Sequence, residues 1–225
     1  MNSRALLRPV FAIAVTAAVF LAALYGGKLL PHSAIFPTSF GVDCLMLGLS
    51  LVAMAAIAKG RFRLFGFTLG RYKFRPSILL WALPMAIIVT LGTIFQARGA
   101  AQHSFVNFTP LQAILYIWIC SSICEEILVR GLLQTLLRDI EDVTPDPRWW
   151  TVPTVISAVF FGAMHSVLVP LLGSGAIPII LAATLLGFVC AHYRQATGSL
   201  LPAIIVHMLF NIGGSLPVWV IHWMR

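Results

Sequence analysis

Two adjacent glutamates stand in an apolar run, Ser121-Ser122-Ile123-Cys124-Glu125-Glu126-Ile127-Leu128-Val129-Arg130. A carboxylate in apolar surroundings needs either a partner or a purpose. On a helix, sequence neighbours differ by about 100° around the axis, so the two acids cannot aim at one point. Glu126 and Arg130 are four residues apart on one face, with the acid N-terminal to the base, the better order for an ion pair. Glu125 has no such local partner and is read as the free, reactive carboxylate. Two more apolar segments carry a histidine: His165, in Phe161-Gly162-Ala163-Met164-His165, and His207, in His207-Met208-Leu209-Phe210-Asn211. Asn211 lies four residues after His207, so both project from one helix face. A carboxylate and an imidazole can hold a water and take its proton. A second imidazole and an amide can donate to a developing oxyanion. Glu125, His165, His207 and Asn211 therefore suit hydrolysis of an amide or ester, with Glu126, Arg130 and Phe161 in support.

These residues must be positioned by helices in lipid. Of 225 residues, 60% are hydrophobic and 10% are charged, whereas a soluble domain has about a quarter charged. Mean hydropathy is +0.95, so much of the surface needs lipid as its solvent. Apolar stretches occur near 9–27, 41–58, 77–97, 111–137, 151–170, 176–193 and 199–212. The last is followed by Gly213, Gly214 and Pro217, and then an apolar tail to Trp223. That tail reads as a broken continuation of the seventh helix or a stub of an eighth. The expected fold is all-α, a polytopic transmembrane bundle of about seven to eight helices. No internal repeat or low-complexity linker divides it, so residues 1–225 read as one domain with its chemistry in about 110–212.

Charge sets the expected topology. With the N-terminus in the cytoplasm, every Lys and Arg except Lys28, Arg98 and Arg225 falls on the inside, as the positive-inside rule requires. Arg4 and Arg8 before the first apolar run resemble a signal-peptide start, but that run reads as a retained span. The segment 59–75 interleaves basic residues with Phe62, Phe65, Phe67, Tyr72 and Phe74. It reads as a cytoplasmic loop with rings in the interface and cations on headgroups, not as a nucleic-acid surface. Cys44, Cys120, Cys124 and Cys190 read as packing residues, and His192 and His222 as hydrogen-bonding residues near span ends. At 1.5 Å per residue, Glu125, His165 and His207 lie roughly 20, 21 and 14 Å from the cytoplasmic ends of their helices. Three polar groups on three helices at one depth form a candidate site.

The same residues resemble the CPBP family, which comprises the type II CAAX prenyl proteases and bacterial relatives linked to bacteriocin processing and self-immunity (the Abi family). Its EExxxR motif is matched by Glu125, Glu126 and Arg130, its FxxxH motif by Phe161 and His165, and its HxxxN motif by His207 and Asn211. The approach Tyr193, Thr197, Gly198, Ser199 and Leu200 also looks like the family's. The resemblance implies about eight transmembrane helices around a cavity open to the cytoplasm. It implies water activation by Glu125 with His165, and an oxyanion hole of His207 and Asn211. It leaves metal open: a zinc set would use Glu125, His165 and His207 with a water. The absence of a close-spaced HExxH favours a metal-free hydrolase.

The resulting expectation is an intramembrane endopeptidase in a bacterial inner membrane. Its substrate would be a membrane-associated protein or a peptide precursor, leader or membrane tag. The sequence predicts no nucleic-acid partner and does not specify an oligomeric state. Two other classes fit the composition. A non-enzymatic immunity or scaffold protein would keep its function without Glu125. A proton-coupled transporter would use Glu125 and the histidines as a relay.

Overall fold

In lipid the backbone must satisfy its own polar groups, and these apolar runs do so as helices. The computed structural model describes residues 3–33, 35–69, 84, 86–87, 108–138 and 144–223. Its principal helices are α1 (Ser3–Leu29), α2 (Thr38–Ala58), α3 (Pro110–Leu137), α4 (Val152–Met164), α5 (Ala176–Thr197) and α6 (Leu201–Trp223). Short 3-10 turns at His165–Leu168 and Gly173–Gly175 join α4 to α5 through Val169–Leu172.

The architecture is all-α, but the expected seven to eight helices are not reached among the described residues. The described residues form five joined helices, four of them long and apolar enough to cross a membrane. The difference has three sources. The stretches 151–170 and 176–193 are continuous in helical turns, as Val152–Thr197. The stretch 199–212 falls in a shorter apolar helix, Leu201–Leu216. The stretch 77–97 lies outside the described residues apart from 84, 86 and 87.

Two glycines set how α4 meets α5. A Cβ on Gly187 would stand 3.0 Å from the Ala158 Cα, and one on Gly162 would stand 3.0 Å from the Ile180 carbonyl and collide with Thr184. Pairing of 158 with 187 and of 162 with 180 and 184 makes the two helices antiparallel arms in backbone contact. The expected break at Gly213, Gly214 and Pro217 is also absent, because α6 runs on to Trp223. Gly213 serves packing instead: a Cβ there would sit 2.7 Å from the backbone oxygen of Ala86.

Helix α3 is the hub, packed against α1, α2, α4, α5 and α6. It runs parallel to α2, with Phe40 on Tyr116 near one end and Met54 on Gly131 near the other. Its turns are wide and π-type over Ala113–Ser121 and Ile127–Leu133, and α-type over Ser122–Glu126 between them. Such insertions re-aim side chains and recur at functional sites.

The basic loop also differs from expectation. Phe65 is fully buried in the core, not laid in an interface. The loop is fastened to the α5–α6 turn, where Arg194 donates to the Leu64 carbonyl, the Leu200 amide to Gly66 and the Ser199 hydroxyl to Thr68. Gly198, at φ 72°, makes that turn possible. Arg130 and Arg194, assigned to the cytoplasmic side by charge count, are buried within the bundle. Residues 70–75 of the loop lie outside the described residues.

Candidate active site

One face of α3 carries Ser122, Glu126, Arg130 and Gln134, spaced four apart and all buried. Each finds its partner on α5 or α6. Asn211 donates to Ser122 Oγ at 3.0 Å, and His207 Nδ1–H donates to Glu126 Oε1 at 3.0 Å. Arg130 donates to the Gly187 carbonyl at 2.8 Å, and Gln134 to the Ala191 carbonyl at 2.8 Å. Buried polar groups are tolerated when hydrogen-bonded. Here the bonds also lock three helices in register.

The i,i+4 pair is present: Arg130 Nε lies 3.2 Å from Glu126 Oε2, with both side chains wholly buried. The guanidinium also sits over the Phe161 ring, 4.5 Å from its centroid, a favourable place for a desolvated cation. Phe161 does more than pack there. Its ring lies edge-to-face with His165 at 5.1 Å and with His207 at 5.4 Å between centroids. The two imidazoles thus flank one phenyl ring. His165 Nδ1–H donates to the Phe161 carbonyl at 2.9 Å, because a carbonyl only accepts. That leaves Nε2 as the nitrogen available for other chemistry.

Glu125 sits beside this cluster. Its Oε1 accepts a 2.7 Å hydrogen bond from the Ser121 hydroxyl. Its Oε2 is buried without a hydrogen-bond partner among the described residues and lies 3.9 Å from His207 Nε2, beyond hydrogen-bond contact. His207 therefore stands between the two glutamates, oriented by Glu126 and turned toward Glu125. Direct contacts join Glu125, Glu126, Arg130, His207 and Phe161, and His165 enters through Phe161. Asn211 is placed differently from an open oxyanion donor. Its amide nitrogen donates to the Ile117 carbonyl at 3.1 Å as well as to Ser122, so both hydrogens are engaged.

Several residues near the site went unread in the sequence. Ser121 is four residues before Glu125, a local spacing that could have been found. Ser122 and Trp118, which donates to Ser215 at 2.6 Å, act across helices and leave no local signal. Asp43 is buried on the same α2 face as Met46, Ser50 and Met54, within electrostatic reach of Glu125 and Cys120. A lone acid in an otherwise apolar span was the signal for it.

Among the described residues no three His, Cys, Asp or Glu side chains are grouped as a metal ion would need. The steps proposed for Glu125, His165 and His207 are routed through no metal.

No curated protein and no solved structure matches the chain. A family model does match, described as Type II CAAX prenyl endopeptidase Rce1-like, over residues 107–213. That stretch contains Glu125, Glu126, Arg130, Phe161, His165, His207 and Asn211, so this part of the chain is similar to the Rce1-like CAAX proteases.

Proposed function

We propose that this protein is an intramembrane endopeptidase that hydrolyses peptide bonds of a membrane-associated protein or peptide. The observation that carries the reading is the Glu125 carboxylate: one buried oxygen without a hydrogen bond, 3.9 Å from an imidazole that a second carboxylate orients. A base held in place, with one oxygen uncommitted, is arranged to take a proton.

The steps follow from the residues. A water is held by Glu125 Oε2 and His165 Nε2. As its oxygen attacks the scissile carbonyl carbon, its proton passes to Glu125 and the carbonyl electron pair moves onto oxygen. His207, held at Nδ1 by Glu126, stabilises that oxyanion from Nε2 when both ring nitrogens carry protons. Asn211 adds a second donor by exchanging its Ser122 contact for the oxyanion. Collapse breaks the C–N bond, and the departing amine takes the proton from Glu125, leaving a carboxylic acid and an amine, which then exchange a proton to give a carboxylate and an ammonium group. Arg130, 3.2 Å from Glu126, holds that carboxylate in place, so the imidazole stays oriented. The Lys and Arg asymmetry favours a cytoplasmic N-terminus.

The test compares peptides released from membranes carrying the wild type or Glu125→Gln, by mass spectrometry. The variant is expected to insert normally and to lose the cleavage products. Unchanged products from Glu125→Gln would remove Glu125 from the chemistry.

A further inference from the structure

Hydroxyls buried on apolar helices usually bond back to a carbonyl of their own helix. Among the described residues five hydroxyls, buried or half-buried, do so, each to the carbonyl four residues earlier: Thr16 to Ala12, Ser50 to Met46, Thr184 to Ile180, Thr197 to Tyr193 and Ser215 to Asn211. Ser121 does not. It donates forward to Glu125 Oε1 at 2.7 Å. A charge-assisted bond of that length is the strong kind. A glutamate has three rotatable torsions, and a fixed Oε1 sets the plane of the whole carboxylate. What remains is Oε2, buried, without a hydrogen-bond partner among the described residues and turned toward His207. The next residue acts on the opposite wall, since Ser122 Oγ accepts from Asn211 of α6. Adjacent serines on one helix thus hold side chains of two different helices.

We propose that Ser121 is the positioning residue of the base: its hydroxyl clamps Glu125 Oε1 so that Oε2 alone is presented to water. The inference rests on the reading of Glu125 as the base. It assigns Ser121 no covalent role, because its proton is already directed at Oε1 and the water is the nucleophile. The substitution Ser121→Ala frees the carboxylate to rotate without changing its chemistry. Small misplacements of a catalytic group are expensive in rate.

The experiment measures kcat and KM for the peptide whose release distinguishes wild-type membranes from Glu125→Gln membranes. Ser121→Ala is expected to lower kcat about 10- to 100-fold with KM little changed. Ser121→Thr, which keeps the hydroxyl, is expected to recover most of that loss. Ser50→Ala, which removes a buried hydroxyl bonded only to its own helix, is expected to keep wild-type kcat. An unchanged kcat in Ser121→Ala beside an inactive Glu125→Gln overturns the proposal and leaves the base intact. So does an equal fall in Ser50→Ala, or failure of Ser121→Thr to recover activity. An acyl group trapped on Ser121 overturns it in favour of a serine nucleophile. If Glu125→Gln membranes release the same peptides as wild type, the reading beneath the proposal fails instead.

Discussion

Removing the Arg130 guanidinium should be among the most damaging single changes in this protein. Arg130 is wholly buried, pairs with Glu126 at 3.2 Å, donates to the Gly187 carbonyl at 2.8 Å and lies over Phe161 at 4.5 Å. In Arg130→Met the apolar stem is kept while all three interactions go. The lost hydrogen bond contributes about 1 kcal/mol and the desolvated cation–π contact about 2 kcal/mol. The larger effect is the Glu126 carboxylate, left buried with His207 as its remaining charge partner. Breaking a buried pair from one side costs about 3–5 kcal/mol in all, and the parts are not additive. Glu126→Gln on the Arg130→Met background removes the orphaned charge, so it should restore part of the stability. Equilibrium unfolding in mixed micelles, read by circular dichroism, measures the full double-mutant cycle. The expected coupling between the two positions is about 2–3 kcal/mol. Additive losses in the double variant, or a loss below about 1 kcal/mol in Arg130→Met, would refute the view that Glu126 depends on Arg130.

The remaining expectations concern packing and protonation. Gly162→Ala places a methyl group against Thr184 and 3.0 Å from the Ile180 carbonyl. It should destabilise the α4–α5 arms by about 1–3 kcal/mol, and Thr184→Ala in the same chain should return part of that in the same unfolding assay. Asp146, between α3 and α4, is held down to about 2 by hydrogen bonds from the Arg148 side chain and backbone. Its folded value lies below the unfolded one, so its small contribution to stability is present above the ordinary carboxylate range and is lost as pH falls through about 2. A carbon-detected NMR titration should show this low midpoint, and Arg148→Ala should move it up toward 3.8.

The sequence by itself determined the class of solvent, the helical fold and the residues with chemical potential. Composition demanded lipid, and lipid demands helices. The four-residue spacing was enough to pair Glu126 with Arg130 and to separate Glu126 from Glu125, because helix geometry is local. Ser121 and Glu125 obey the same rule, and only the weak prior for a serine as a carboxylate donor hid them. The tertiary structure alone decided what lies across the helices. His207 shares a face with Asn211, yet its nitrogens address the two glutamates of α3, while the Asn211 amide is taken up by Ile117 and Ser122. Phe161 reads as packing in one dimension; in three it carries Arg130 on its face and two imidazoles at its edges. Such facts depend on the register between helices. That register is set by close backbone approaches, at Gly162 and Gly187 between α4 and α5 and at Gly213 beside Ala86. A glycine in the sequence announces that something comes close but does not say what.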